Sequence, residues 1–96
     1  MKFKDENLDR LETDVRFSGG HSQAIVSAYR KRMQLIRASP DERDFYALRS
    51  LRFEKLKGER SHQYSMRLNQ QWRLILEFDK EAVPVIVLIV GIEDYH

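Results

Sequence analysis

The chain has no cysteine, only two prolines and four glycines, and no long hydrophobic run. The absence of cysteine excludes disulfide bonds, thiolate metal ligands and a cysteine nucleophile, and it is compatible with a reducing compartment. The longest apolar stretch, residues 82–90, is far shorter than the roughly 20 residues that cross a bilayer. The first residues are mostly charged. We therefore expect a cytoplasmic protein with no membrane anchor and no signal peptide.

The composition is that of a small folded domain. Of the 96 residues, 42% are hydrophobic and 10% are aromatic, which is enough for one modest core and too little for two. A third of the residues are charged, but the hydrophobic fraction is too high for a disordered chain. We predict a single domain over residues 1–96.

The net charge of +2 conceals an uneven distribution along the chain. Residues 1–48 carry a net charge of +1, residues 49–75 carry +5, and residues 76–96 carry −4. A basic segment such as residues 49–75 is typical of surfaces that meet phosphate groups. A solvated basic surface explains this composition equally well.

Helical periodicity marks the first half of the chain. Between residues 21 and 38, apolar side chains recur every three or four positions, which predicts an amphipathic helix. Residues 39–42, SPDE, form a capping box with serine as the cap and proline at the first helical position. They predict a second helix over residues 40–48. A short strand and a brief helix are expected over residues 3–11.

The period changes to that of strands after Gly58. Apolar and polar side chains alternate over residues 63–68 and again over residues 72–78, which predicts two half-buried strands joined by a turn. Residues 84–92 are apolar at nearly every position, as in a central strand covered on both faces. Together these elements predict an α+β fold, in which N-terminal helices pack on one face of an antiparallel or mixed sheet of about four strands.

The predicted hairpin places two arginines side by side. For the apolar side chains of both strands to share a face, Leu68 must lie opposite Trp72 and Arg67 opposite Arg73. Like charges that face each other across two strands destabilise a sheet. An anionic ligand would justify this pair, whereas on an ordinary surface a nearby carboxylate, Glu77, would offset the repulsion. We favour anion binding.

Familiar catalytic motifs are missing from the sequence. There is no GxxxxGK[ST], GxGxxG or GxSxG pattern, and the three histidines lack the spacing of metal ligands, so we expect neither a cofactor nor a metal. Metal-free RNA cleavage remains possible, in which a ribose 2′-hydroxyl attacks the adjacent phosphate while cations stabilise the developing charge. His96 titrates in a useful range for such a reaction. It joins Arg73 only if the last strand runs beside the hairpin.

Two stretches of the sequence resemble a known family. Residues 56–73 read LKGERSHQYSMRLNQQWR, and residues 94–96 read DYH. This pattern resembles the HigB toxins of bacterial type II toxin–antitoxin systems, which belong to the RelE/ParE superfamily. The resemblance is close over the C-terminal half and extends to the helix layout of the N-terminal half. It implies a RelE-like fold.

The resemblance also implies an activity and a set of site residues. HigB toxins are ribosome-dependent endoribonucleases that cleave mRNA in the A site without a metal ion. By this resemblance Arg73 stabilises the phosphate transition state. The implied ligands of RNA phosphates are Lys57, Arg60 and Arg67. The implied C-terminal catalytic cluster consists of Asp94, Tyr95 and His96. Glu54, where some relatives carry histidine, is an additional candidate.

The implied partners are a HigA-type helix-turn-helix antitoxin, the 70S ribosome and mRNA, with operator DNA contacted only through the antitoxin. Two other functions stay open. One is a ParE-like inhibitor of DNA gyrase, a non-nuclease toxin on the same fold that does not need the catalytic cluster. The other is a basic RNA-binding module without toxicity.

Overall fold

The computed structural model describes residues 1–95 and contains three α-helices and five β-strands in that range. The helices are α1 (Glu6–Thr13), α2 (Gln23–Ala38) and α3 (Glu42–Ala47). The strands are β1 (Lys2–Phe3), β2 (Glu54–Lys55), β3 (Tyr64–Arg67), β4 (Trp72–Asp79) and β5 (Ile86–Asp94). Single 3₁₀ turns cover Arg49–Leu51 and Gly58–Arg60. None of the helices in this range has the length and apolar character needed to span a bilayer.

The five strands form one mixed sheet in the order β1-β5-β4-β3-β2, in which only the β1–β5 pair is parallel. The predicted α+β architecture is confirmed. The sheet has one strand more than expected, because the two-residue edge strand β2 was not predicted, whereas the short strand expected near Phe3 is β1 at the other edge. Strands this short leave little alternation in the sequence to detect, and short edges protect a sheet from pairing with other chains.

The helices pack on one face of the sheet, here called the helical face. The apolar stripe of α2 supplies the largest helical share of the core, and it meets the inward-facing side chains of β3, β4 and β5. Tyr29 is fully buried in this core, and its hydroxyl donates a hydrogen bond of 2.7 Å to the carbonyl oxygen of Leu8 in α1. Helix α2 begins two residues later than expected because the Ser22 side chain caps it by accepting from the Ile25 N–H. The opposite side of the sheet is called the open face.

The second predicted helix was placed two residues too early. We expected Ser39 to cap a helix beginning at Pro40, but α3 begins at Glu42 and its cap is Asp41. The Asp41 carboxylate accepts from the Arg43 N–H at 2.9 Å, whereas the Ser39 hydroxyl donates to the side chain of Asp44. Both residues fit a cap by type, and the carboxylate takes the role because it lies nearer the first turn.

The hairpin register is as predicted. Arg67 lies opposite Arg73 in the β3–β4 pair, and the Leu68 N–H donates to the carbonyl oxygen of Trp72. Trp72 is therefore on the helical face, while Arg67 and Arg73 are on the open face.

Strand β5 differs from its prediction in extent and in burial. It covers Ile86–Asp94 instead of residues 84–92, and its first half alternates between buried and half-buried side chains. We expected both faces to be covered, but the helices cover one. The register also shifts by one residue, because Leu76 pairs with Ile89 while Ile75 pairs with Gly91, so that Val90 forms a bulge. Because of this bulge, odd-numbered residues of β5 lie on the helical face before Val90 and on the open face after it.

Candidate active site

A hollow of about 360 Å³ opens at the end of the sheet where β2 begins and β3 turns into β4. Its lining is polar and predominantly cationic. The lining residues are Arg52, Phe53, Glu54, Arg67, Asn69, Gln70, Arg73 and Tyr95. Three arginines against one glutamate make this a site for an anion.

Arg73 forms the floor of the hollow. Its residue surface is only 5% exposed, although it belongs to the open face. One amino group, Nη2, donates to the carbonyl oxygen of Arg52 at 2.6 Å and to the hydroxyl of Ser65 at 2.9 Å. Among residues 1–95, no group accepts a hydrogen bond from its buried Nε. A buried donor of this kind is costly unless something satisfies it, which makes Arg73 a candidate ligand-binding group.

Burial also sets the electrostatics of Arg73. Desolvation lowers the pKa of its guanidinium, the carboxylate of Glu54 and the phenol of Tyr95 act in the opposite direction, and Arg67 and Arg52 add to the lowering. An arginine begins with a pKa above about 12, so the side chain stays protonated at neutral pH. The hollow therefore holds a permanent, partly dehydrated positive charge, which attracts an anion more strongly than an exposed one does.

The backbone of Arg52 anchors this charge. Arg52 adopts a left-handed conformation with φ 46° and ψ 46°, and it is the one non-glycine residue with positive φ in the described chain. Its carbonyl oxygen accepts the short bond from Arg73. A side chain in this conformation costs about 1 kcal/mol or more relative to glycine. Backbone strain of this kind tends to accumulate at functional sites.

Tyr95 covers Arg73 from the solvent side. The guanidinium carbon of Arg73 lies 4.7 Å from the centroid of the Tyr95 ring, a cation–π contact, and Tyr95 is 50% exposed. The Tyr95 N–H donates to the carbonyl oxygen of Gln71 at 2.6 Å, which ties the chain end to the hairpin. The bulge at Val90 brings this ring to the open face, because the core-facing positions of β5 are odd-numbered before the bulge, as at Val87 and Ile89, and even-numbered after it, as at Ile92.

Glu54 is the carboxylate of the hollow. Its Oε1 lies 3.7 Å from Nη2 of Arg73, and its side chain is half exposed. It sits on β2 opposite Ser65, so both residues flank Arg73 on the open face. The alternative in which Glu77 offsets the arginine pair is wrong, because Glu77 accepts a hydrogen bond from Gln63 and lies near His62 instead. Glu54 was only an additional candidate in the sequence.

Arg67 is the second cation of the hollow that the sequence predicted. It lies opposite Arg73, but Arg73 is buried whereas Arg67 remains partly exposed. Arg32 of α2 fixes the end of β3 by donating from Nε to the Arg67 carbonyl oxygen at 3.0 Å. The opposed pair therefore supplies one buried and one accessible charge to the same hollow.

Three further predicted site residues, Lys57, Arg60 and Asp94, lie outside the lining. Lys57 is exposed in the segment after β2. Arg60 makes a bidentate ion pair with Glu93, with N–O distances of 2.9 and 2.7 Å. Asp94 pairs with Trp72 in the β4–β5 register, and its carboxylate accepts from the Gln71 side chain at 3.2 Å. His96 lies outside the described residues.

Sequence reasoning gave no role in the site to four of the lining residues, which are Arg52, Phe53, Asn69 and Gln70. Asn69 had a detectable signal, since asparagine in a short hairpin loop often closes a turn, and its Oδ1 accepts from the N–H groups of Gln71 and Trp72. Arg52 had only its place in the basic segment, residues 49–75, because its left-handed conformation is visible only in the three-dimensional structure. Within residues 1–95, no group of three or more His, Cys, Asp or Glu side chains is placed to hold a metal ion.

Comparison with known proteins places this fold, with its cationic hollow, in the class of RelE-like toxins. The chain belongs to the HigB-like toxin family, because a family model described as "RelE-like toxin of type II toxin-antitoxin system HigB" matches residues 1–95. A solved structure, "YoeB/ParE toxin from Agrobacterium tumefaciens", is similar in fold, with a TM-score of 0.65, 16% sequence identity and full coverage of both chains. A search of curated proteins found no match. A type II toxin implies an antitoxin as its partner.

Proposed function

We propose that this toxin is a ribosome-dependent, metal-independent endoribonuclease that cleaves mRNA in the ribosomal A site and so inhibits translation in the cytoplasm. The observation that carries the proposal is the buried Arg73, whose Nε has no partner within residues 1–95 and whose guanidinium forms the floor of a cationic hollow. A phosphate group is the anion that such a hollow fits, because arginine binds phosphate oxygens through charge-assisted hydrogen bonds.

The proposed reaction is attack by a ribose 2′-hydroxyl on the neighbouring phosphate. Arg73 and Arg67 stabilise the negative charge of the pentavalent phosphate. Glu54, 3.7 Å from Arg73 and half exposed, is placed to accept the 2′-hydroxyl proton, and the Tyr95 ring stacks on an adjacent base. Phosphates farther along the RNA are contacted by Lys57.

Asp94 and His96 remain candidates for the acid that protonates the leaving 5′-oxygen. Asp94 follows Glu93 directly at the end of β5, one residue before the Tyr95 ring that covers Arg73. Its carboxylate belongs to the Trp72 side of the sheet, so this role requires the chain end to adjust when RNA binds. The resemblance implied that Arg60 is a phosphate ligand as well, but its guanidinium is engaged by Glu93.

The proposed partners follow from family membership. A HigA-type helix-turn-helix antitoxin holds the toxin inactive, and operator DNA is reached only through that antitoxin. The proposed target of the toxin is the 70S ribosome with its bound mRNA. The net charge of +5 on residues 49–75, which include Arg52, Glu54, Arg67 and Arg73, favours association with RNA phosphates.

The test uses Arg73→Ala in an inducible expression system with the antitoxin under separate control. We expect the wild type to stop growth and to produce cuts in an abundant mRNA, mapped by primer extension, and Arg73→Ala to lose both effects while keeping its circular dichroism spectrum. An exposed arginine outside the hollow, Arg43, provides the matched control as Arg43→Ala. Intact transcripts with induced DNA-damage signalling in the wild type would favour the ParE-like inhibition of gyrase instead.

A further inference from the structure

Arg60 reaches across the open face of the sheet. It belongs to the turn Gly58–Arg60 before β3, yet its Nη1 and Nη2 donate to the two carboxylate oxygens of Glu93 on β5, at 2.9 and 2.7 Å. Its Nε donates to the Gln63 side chain at 2.8 Å. The guanidinium is thereby fixed on three sides, and both members of the ion pair are about half exposed.

Glu93 is the direct cross-strand neighbour of Arg73. Side chains paired in this way lie on the same face of the sheet, with Cβ atoms about 4.5–5.5 Å apart. A glutamate at this distance is long enough to reach the guanidinium, and a carboxylate beside an arginine forms a strong charge-assisted pair. The buried Nε of Arg73, unpartnered among residues 1–95, is a donor that such a carboxylate would satisfy.

The carboxylate of Glu93 nevertheless points to Arg60. We propose that Arg60 is a positioning residue that holds Glu93 away from Arg73 and thereby keeps the buried guanidinium available for a phosphate group. The proposal rests on the proposed function in taking the Arg73 hollow as the phosphate site. It gives Arg60 a role that differs from direct contact with RNA, because Arg60 acts through the acid that it restrains.

This role predicts a specific pattern in a double-mutant cycle. In Arg60→Ala the freed carboxylate of Glu93 closes on Arg73, neutralises it and competes with an incoming anion. Replacing Glu93 by glutamine removes that competing charge at nearly the same size, so the double variant Arg60→Ala/Glu93→Gln regains an available Arg73. If Arg60 were itself a phosphate ligand, the second substitution could not replace the lost contact. If the effects of the two substitutions on sulfate affinity are not additive, Arg60 acts through Glu93; if they are additive, Arg60 contacts the phosphate itself.

The experiment titrates purified toxin with inorganic sulfate and follows the Nε–H resonance of Arg73 by NMR, which reads the site whether or not the protein cuts RNA. We expect Arg60→Ala to weaken sulfate binding about tenfold, whereas Glu93→Gln alone and the double variant should each bind within about threefold of the wild type. Arg43→Ala, which removes one positive charge and an exposed ion pair with Asp41 elsewhere on the molecule, should bind sulfate like the wild type. Circular dichroism and thermal unfolding verify that each variant is folded.

A double variant as weak as Arg60→Ala would overturn the proposal and identify Arg60 as an anion ligand. Wild-type binding in Arg60→Ala would overturn it too, since Glu93 would then not compete. The same variants in the mRNA cleavage assay should follow the same order. If the wild type binds sulfate at Arg73 but cuts no mRNA, the proposed function fails while the role of Arg60 stands.

Discussion

The ring of Tyr95 lies over the guanidinium of Arg73 at 4.7 Å, so the last described residue of the chain covers the buried charge at the floor of the hollow. The contact links the residue that follows β5 to Arg73 on the neighbouring strand β4. It does not bury the ring, which is 50% exposed. The ring thus contacts Arg73 and stays half exposed, which is what the proposed stacking on an RNA base requires.

Two substitutions of Tyr95 distinguish the contribution of its ring to mRNA cleavage from that of its hydroxyl. We expect Tyr95→Phe to keep mRNA cleavage within about threefold of the wild type, because phenylalanine preserves both the contact with Arg73 and a stacking surface. Tyr95→Ala should lose about tenfold to a hundredfold, since stacking of a base on an aromatic ring contributes about 1–3 kcal/mol. Cleavage rates on programmed ribosomes measure both effects. Equal losses in the two variants would show that the hydroxyl, and not the ring, does the work.

The backbone strain at Arg52 yields a prediction about stability. Arg52→Gly and Arg52→Ala both retain the carbonyl group that accepts from Arg73, and both lose the same charge. Glycine occupies the left-handed region freely, so we expect Arg52→Gly to be more stable than Arg52→Ala by about 1 kcal/mol in urea unfolding. An alanine variant as stable as the glycine variant would mean that the left-handed conformation is not retained in solution.

The sequence predicted the strands around this site better than it predicted which side chains meet in the site. Alternation placed Trp72 inward and Arg67 opposite Arg73, because a period of two fixes the face of every residue in a regular strand. The same rule fails after Val90, where the bulge shifts the register and brings Glu93 and Tyr95 onto the open face. The apolar run shows no change of face, and the one local signal is Gly91, because a glycine inside a strand often marks a bulge.

The burial of the Arg73 side chain could not be predicted from the sequence either. Its position in the alternating pattern predicts an exposed side chain, but the left-handed backbone of Arg52 and the hydroxyl of Ser65 together provide acceptors that hold the guanidinium inside the hollow. These acceptors come from β3 and from the segment before β2. Their convergence depends on the tertiary structure, so no local pattern reports it.

The two cations proposed to contact RNA differ in position, and this difference is testable. Arg67 lines the hollow whereas Lys57 does not. Since both substitutions to alanine remove one positive charge from the basic segment, long-range attraction falls equally, and any further loss reflects contact with the phosphate in the hollow. We expect Arg67→Ala to reduce mRNA cleavage about tenfold more than Lys57→Ala. The reverse order would place the scissile phosphate outside the hollow.

The buried Tyr29 predicts a loss of stability in alkaline solution. Burial is the main cause that raises the pKa of the Tyr29 phenol, with Glu12, Asp9 and Asp5 adding to it. An unfolded tyrosine loses its proton near pH 10, and the folded protein keeps it, so the unfolded state binds fewer protons and stability falls as the pH rises above about 10. The fall should reach about 1.4 kcal/mol per pH unit.

The variant Tyr29→Phe isolates that effect. At pH 7 it should be about 1 kcal/mol less stable than the wild type, because the hydrogen bond to the Leu8 carbonyl oxygen is lost. Above pH 10 it lacks the titrating group, so its stability should fall less steeply and the difference from the wild type should shrink. Urea unfolding at several pH values measures both slopes, and parallel slopes would contradict the assignment to Tyr29.

The two carboxylates proposed to transfer protons in the reaction, Glu54 and Asp94, differ in where they lie. Glu54 is in the hollow, 3.7 Å from Arg73, whereas Asp94 pairs with Trp72 and accepts a hydrogen bond from Gln71. Replacing a carboxylate by its amide preserves size and removes the base, and a general base contributes about 10²–10⁴-fold to such a reaction. We expect Glu54→Gln to reduce the single-turnover cleavage rate by about a hundredfold or more at neutral pH. The same substitution should leave sulfate binding at Arg73 intact or improved, because the negative charge beside the guanidinium disappears.

Asp94→Asn is the matched variant. A larger loss of cleavage for Asp94→Asn than for Glu54→Gln would contradict the role of Glu54. It would show that Asp94 moves into the hollow when RNA binds and that Glu54 serves only to orient Arg73.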